Sequence, residues 1–300
     1  MSEQRTGVVA GFSAYALWGV FPLVFRLLDE VSAVEILFHR IAWSLAVVLA
    51  VLALQRRFAE LATLVRHRRS LQRLALAAVF ISVNWLTYIW AVNGGHVVDA
   101  ALGYYVNPLI TVALGVAVLH ERLRPAQKVA LGFGAASVVV LTVANGSVPW
   151  VALVLACSFA AYGYLKKDVG AAALTSLAIE TAVLAPVAVV GLTVFALQGE
   201  LSFAHGSLWR DVLLAGLGVV TAVPLLLFAT AATRIPLSML GLLQYVTPTM
   251  QLICGVVILD EDLPPERLVG FFLVWIALTV LATDAVQSER RSRRLTAEPV

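Results

Sequence analysis

The stretch Tyr105–Pro125, YVNPLITVALGVAVLHERLRP, returns as Tyr245–Pro265, YVTPTMQLICGVVILDEDLPP. Tyr105 falls on Tyr245, Pro108 on Pro248, Gly115 on Gly255, Leu119 on Leu259, Glu121 on Glu261 and Pro125 on Pro265. The correspondence extends back to SAYALWG at Ser13, which aligns with CSFAAYG at Cys157. The chain is therefore read as two related halves. Two such halves in an apolar chain can build one site between them and rock around it, which makes transport the first hypothesis.

Composition decides the solvent. Of the 300 residues, 61% are hydrophobic and 13% charged, whereas a soluble domain carries about a quarter charged residues. Mean hydropathy is +0.91. Only helices and closed barrels satisfy their backbone in lipid, and long Leu/Val/Ala runs without period-two alternation specify helices. The cysteines, Cys157 and Cys254, lie far apart without metal-ligand spacing and read as small buried packing residues. No metal or cofactor is expected.

A span needs about 20 apolar residues. Charge and Pro/Gly clusters delimit ten candidates, at 7–28, 33–54, 72–93, 100–119, 126–145, 149–165, 172–197, 211–232, 237–259 and 266–286. The sixth is short. The first follows a polar start without a small-residue cleavage site and reads as a retained span. With the N-terminus in the cytoplasm, every Lys and Arg except Arg26, Arg40, Arg210 and Arg267 falls on the inner side. That bias puts both termini inside. Five spans per half is odd, so the second half is inverted. The loops agree, since HERLRPAQK after the fourth span is basic while its counterpart DEDLPPER is acidic. The expected organisation is a first five-helix repeat at 1–145, an inverted second at 146–286 and a basic cytoplasmic tail at 287–300. The fold class is an all-α polytopic membrane protein in the cytoplasmic membrane.

AYALWGVFPLVFRLL, EILFHRIAWSL, SVNWLTYIWAVNGG, ALGYYVNPL and LHERL resemble the RarD group of EamA-type proteins, in the drug/metabolite transporter superfamily. The resemblance runs from about Gly7 to Leu281 and is more specific over the first half. It implies a ten-helix inner-membrane carrier from a bacterium. The group's label, "chloramphenicol-sensitive protein", names a phenotype and implies no substrate.

Soluble catalytic signatures are absent: there is no phosphate loop, HExxH or GxSxG. The expectation is therefore no enzyme. In the fourth helix Tyr104, Asn107 and Thr111 share one face, and in the ninth Gln244, Thr247 and Gln251 occupy the equivalent places. Two such stripes beside repeated prolines read as walls of one cavity, or as hydrogen-bonding glue between helices. Both prolines remove a helical hydrogen bond and can kink their helices.

Arg40 and Glu180 are also equivalent positions. Each lies about 10–12 Å inside a core about 30 Å thick, from opposite faces, leaving roughly 8 Å between them along the membrane normal. Three readings follow: they pair, they offer a cation and an anion to a substrate, or Arg40 snorkels outward. Glu180 is the candidate for proton coupling. Tyr15, Trp18, Asn84 and Tyr88 complete the substrate-binding candidates, the rings by stacking and the mid-span amide by hydrogen bonding. Trp43 and Trp90 read as packing or lipid-facing rings.

The Arg-rich segment after the second span follows from topology and anionic headgroups, not nucleic acid. The fifth and tenth helices, the former with Gly132 and Gly134, would support the bundle or mediate a homodimer. The resulting expectation is a secondary active transporter of a small metabolite or drug-like solute working by alternating access, with export as one direction. The alternative is a membrane solute receptor or regulator without net transport.

Overall fold

A computed structural model describes residues 3–119, 123–167 and 169–297. Apart from short connections, the described residues are helical. The order is α1 (Glu3–Gly19), α2 (Phe21–Arg26), α3 (Ala33–Leu54), α4 (Phe58–Arg66), α5 (Arg68–Asn93), α6 (Val97–Leu119), α7 (Pro125–Asn145) and α8 (Trp150–Lys167). There follow α9 (Ala173–Gln198), α10 (Leu208–Ala232), α11 (Leu237–Leu243), α12 (Val246–Ile253), a π-helical turn (Cys254–Ile258) and α13 (Pro265–Ala297).

Among the described residues, nine segments are long and apolar enough to cross a membrane, against the ten expected. The candidate not among them is the sixth, 149–165, which forms α8. This helix has 18 residues, ends on Lys166 and Lys167, and carries Ser158, Tyr162, Gly163 and Tyr164, which lower its apolarity. It packs between α5 and α6.

The first span is two pieces. The chain leaves helical geometry at Val20 and restarts with Pro22 in the first turn of α2, where its missing N–H costs nothing. The ninth span is broken more thoroughly. Pro248 cannot donate to Gln244, and α11 ends at that point. The segment restarts as α12 and then loosens into the π turn. Its counterpart α6 runs unbroken through Pro108. The expected kink therefore becomes a break in one half only.

The tenth helix also departs from expectation. It continues to Ala297, so most of the segment assigned to a tail is helix. The loop exchange expected at Glu121 and Arg122 lies outside the described residues. Cys254 is buried, but Cys157 faces outward from α8, which corrects its assignment as a packing residue. The Arg-rich loop contains a surface helix, α4, with no buried residue. There Arg57 donates to both Glu60 oxygens, at 2.8 and 2.7 Å, and holds that carboxyl below its usual range.

Helix pairing positions everything else. α3 packs on α9, α6 on α12 and α7 on α13. α6 packs on α8 as α12 packs on α1, α5 on α8 as α10 on α1, and α3 on α10 as α9 on α5. Exchanging each spanning helix for the one at the matching place in the other half leaves this scheme unchanged. The largest apolar core joins α2, α3, α5, α8, α9 and α10 and includes Phe25, Ile36, Leu52, Ile89, Leu155 and Leu217, with smaller clusters between α6, α7, α12 and α13.

Lipid is as apolar as leucine, so close backbone approach holds such helices together. At Gly103 an added Cβ would lie 2.9 Å from the Ala152 carbonyl oxygen across the α6–α8 contact. At Gly218 it would overlap the Trp43 backbone on α3. Neither obstacle is a flexible side-chain tip. Gly218→Ala is expected to cost about 1–3 kcal/mol by forcing α10 off α3. Thermal unfolding in detergent checks this, with Gly216→Ala, which meets nothing within 4 Å, as the control.

Candidate functional site

The polar and aromatic side chains of the spans converge where α1, α2, α3, α5, α6, α10 and α12 meet. Arg40 lies on α3, 5% exposed. Its Nε donates to Thr221 Oγ1 on α10 at 3.1 Å. Its guanidinium carbon stands 4.0 Å from the Trp85 ring centroid, 5.6 Å from Phe25 and 5.7 Å from Phe21. Phe21 and Phe25 are one turn apart on α2, so the break after Gly19 turns both rings toward the cation. Desolvated cation–π contacts stabilise by about 2 kcal/mol or more.

Tyr88, one turn beyond Asn84 on α5, sits beside this cage. Gln251 Nε2 donates to Tyr88 Oη at 3.0 Å and to the Trp18 carbonyl at 3.4 Å. Gln251 Oε1 is buried without a partner. Tyr104 on α6 donates to Asn84 Oδ1 at 3.1 Å, and Asn84 Nδ2 donates to Leu155 O and Ser158 Oγ, both at 3.0 Å. The rings of Phe21, Phe25, Tyr88, Tyr104, Phe159 and Tyr162 form one row with neighbouring centroids 5.8–6.1 Å apart. A second group, Tyr15, Trp18 and Phe228, closes the side formed by α1 and α10, with centroids 5.6–6.0 Å apart.

Glu180 stands at the far end of the row. It is 1% exposed, receives a hydrogen bond from Tyr162 Oη at 3.0 Å and lies 3.0 Å from Lys166 Nζ. Lys166 also donates to Tyr162 Oη at 2.7 Å. Of the three sequence readings, direct Arg40–Glu180 pairing is therefore not the arrangement adopted: Arg40 turns to aromatic rings and Glu180 to Lys166. Nor does Arg40 snorkel to an interface, since it is buried.

The two polar stripes divide. Tyr104 and Gln251 enter the central cluster. Asn107 donates to Ala156 O on α8 at 3.0 Å, and its counterpart Thr247 donates to Tyr15 O on α1 at 2.8 Å. These two link equivalent helix pairs. Thr111 is exposed and bonds its own helix at Asn107 O. Gln244 is half-buried at the break between α11 and α12.

Sequence reasoning passed over Thr221, Phe21, Phe25, Tyr162 and Lys166. A signal existed for Tyr162, which aligns with Trp18 when CSFAAYG is set against SAYALWG. Thr221 carried none. It also passed over two carboxylates, Glu35 buried and Glu261 half-buried. Glu35 accepts from Ser202 N at 2.7 Å and Ser202 Oγ at 2.9 Å, tying the start of α3 to the connection before α10. Glu261 accepts from the backbone N–H groups of Val97 at 2.7 Å and Val98 at 2.8 Å. It thereby caps α6 from the loop after the ninth span, a favourable place for an anion.

These residues form a desolvated, aromatic-lined set of hydrogen-bonding groups joined across helices. The comparisons agree in kind. Residues 5–143 match the EamA-like transporter family. Protein RarD of Streptomyces exfoliatus is 52% identical, over 97% of this chain and 93% of that protein. An uncharacterized transporter of Pseudomonas aeruginosa is 41% identical, over 97% of each chain. A protein of known crystal structure shares the fold, with a TM-score of 0.62 and 19% identity over 95% of this chain and 99% of that one. Fold and comparisons together define a multi-pass membrane transporter of the drug/metabolite type. The chain belongs to the RarD group of the EamA-like transporter family.

Removing one member of a buried ion pair strands the other charge. Lys166→Met is expected to cost about 3–5 kcal/mol, with Lys166→Met/Glu180→Gln recovering much of the loss. Denaturation of the two variants checks this. Glu261→Ala, which uncaps α6, is expected to cost about 1–2 kcal/mol in the same assay.

Proposed function

We propose that the protein is a secondary active transporter that moves a small organic solute across the cytoplasmic membrane by alternating access. The carrying observation is that one desolvated cluster, centred on Arg40, draws side chains from both halves of the chain. Arg40, Trp85, Tyr88 and Tyr104 come from residues before 145, and Thr221, Phe228 and Gln251 from residues after it. The equivalent pairing of helices in the two halves supports reading them as inverted repeats, 1–145 and 146–286, that exchange conformations around that cluster. Both termini then face the cytoplasm, as the distribution of Lys and Arg supports.

The break and π turn of the ninth span supply a hinge, since irregular turns concentrate where helices move. Glu180 is the group we assign to proton exchange, because its carboxylate is buried and held by groups that can release it. Substrate is held by Tyr15, Trp18, Arg40, Asn84, Tyr88, Tyr104 and Gln251. Asn107, Thr111, Gln244 and Thr247 line the helices that move. The faces of α7 and α13 away from the bundle are available to a second protomer.

The test is flux by the purified protein alone. Liposomes reconstituted with it are loaded with a mixture of neutral, cationic and anionic metabolites, and efflux is followed by mass spectrometry. The expected result is saturable release of a restricted set of solutes, with the active orientation giving the direction. Binding without release identifies a receptor instead. Unchanged flux and pH response in folded Glu180→Gln would remove the proton-coupling role.

A further inference from the structure

The carboxylates described above, Glu180 and Glu35 buried and Glu261 half-buried, have their charges answered by the protein. Glu180 has Lys166 and Tyr162, Glu35 has Ser202, and Glu261 has two helix N–H groups. Arg40 is different. Among the described residues no carboxylate lies within ion-pair distance of it, and the titratable groups that bear on it are two phenols, Tyr88 and Tyr104. A guanidinium carries five N–H donors in a planar fork. Thr221 takes the one on Nε, and the four on the terminal nitrogens have no hydrogen-bond partner among the described residues.

The aromatic faces of Trp85, Phe21 and Phe25 stabilise the cation but do not consume those donors. A charge in this position costs several kcal/mol unless it is paired, and an unpaired ionisable group in mid-span marks a substrate path. Close by, Gln251 Oε1 is a second buried group without a partner, held next to Tyr88. The surroundings are rings: the row through Tyr88, Tyr104 and Phe159 on one side and the Tyr15–Trp18–Phe228 group on the other.

We infer that the solute is an organic anion with an apolar or aromatic body, whose carboxylate, phosphate or sulfonate head docks on the terminal nitrogens of Arg40. The planar fork matches such a head in two parallel hydrogen bonds. Trp85 holds the guanidinium plane, and Thr221 on α10 fixes its rotation, so the fork is presented in one orientation. The body lies along the rings. Because Arg40 on α3 is bonded to Thr221 on α10, the head docks where the two halves meet. This inference rests on the transporter reading for its meaning but not for its test.

Purified protein in a neutral detergent is titrated with indole-3-acetate, indole-3-acetamide and tryptamine, which share a ring system and differ in charge. Phenyl phosphate and benzenesulfonate are added as other anionic heads. The readout is thermal stabilisation, which rises with occupancy. The expected result is saturable stabilisation by one or more anions, little by the amide and amine, and a loss of affinity of about 10- to 100-fold in Arg40→Met. Arg40→Lys, which keeps the charge without the fork, should fall between.

The variant's own unfolding, without any probe, separates binding from structure. A cation kept for its ligand leaves Arg40→Met as stable as the parent or more so, because a buried unpaired charge has gone. A purely structural cation leaves it clearly less stable, and that result overturns the inference. So does equal binding of the amide or amine, anion binding that ignores Arg40→Met, or no stabilisation by any of the three anions.

Efflux from vesicles of phosphatidylcholine alone, repeated with an anionic phospholipid added, separates a soluble anion from a lipid headgroup. Loss of anion efflux when the anionic lipid is added assigns Arg40 to the headgroup and overturns the solute. If solutes move but anions are not preferred and Arg40→Met is indifferent, this inference fails and the transporter reading stands. If anions bind at Arg40 and none moves, the transporter reading fails and the anion site stands.

Discussion

Hydrocarbon offers a polar atom no partner, and this constraint organises the bundle. The backbone answers it by closing into helices. The side chains answer it by reaching across to neighbouring helices. Asn84 reaches the carbonyl of Leu155, Asn107 that of Ala156, Thr247 that of Tyr15 and Gln251 that of Trp18. Each such bond is worth about 0.6–2 kcal/mol in a membrane, less than the packing around it. Its larger effect is on register: a side chain that must meet one particular carbonyl fixes the height of one helix against the next. The aromatic row from Phe21 to Tyr162 depends on that register, because its rings come from four different helices.

Charges obey the same rule with higher stakes, and the chain uses three solutions. Glu261 and Glu35 are spent on backbone N–H groups and a hydroxyl at the ends of spans, where they fasten connections to helix starts. Glu180 is paired with a lysine that reaches in from the last turn of α8. Arg40 is wrapped in rings. The first solution fastens the fold, the second can open when either partner changes state, and the third leaves donors unused. That ordering, from satisfied to unsatisfied, separates structural charges from the one best suited to meet a solute.

The two halves share a pairing scheme without being identical. Pro108 sits in a continuous helix, whereas Pro248 follows a break and precedes a π turn. The equivalent positions 40 and 180 carry opposite charges and find unrelated partners. Matching places in the two halves thus carry different residues, a cation at 40 and a carboxylate at 180.

Much of this was legible in the residues alone. Apolar length gave the spans, the recurring YVxP segment gave the correspondence between halves, and mid-span polarity nominated Arg40, Asn84, Tyr104, Glu180 and Gln251. Both Arg40 and Glu180 are buried in the bundle, as charged residues placed mid-helix should be. Their partners did not follow. Thr221 is 181 positions from Arg40, and Lys166 looked like a loop residue until the structure showed its side chain reaching Glu180. The sequence by itself determined that this is a helical membrane protein and which segments are apolar enough to cross a bilayer, since these depend on local composition. Only the tertiary structure decided which helices face one another, and hence that Glu180 is answered by a lysine while Arg40 is left to aromatic rings, since lateral packing is set by contacts between segments far apart in the chain.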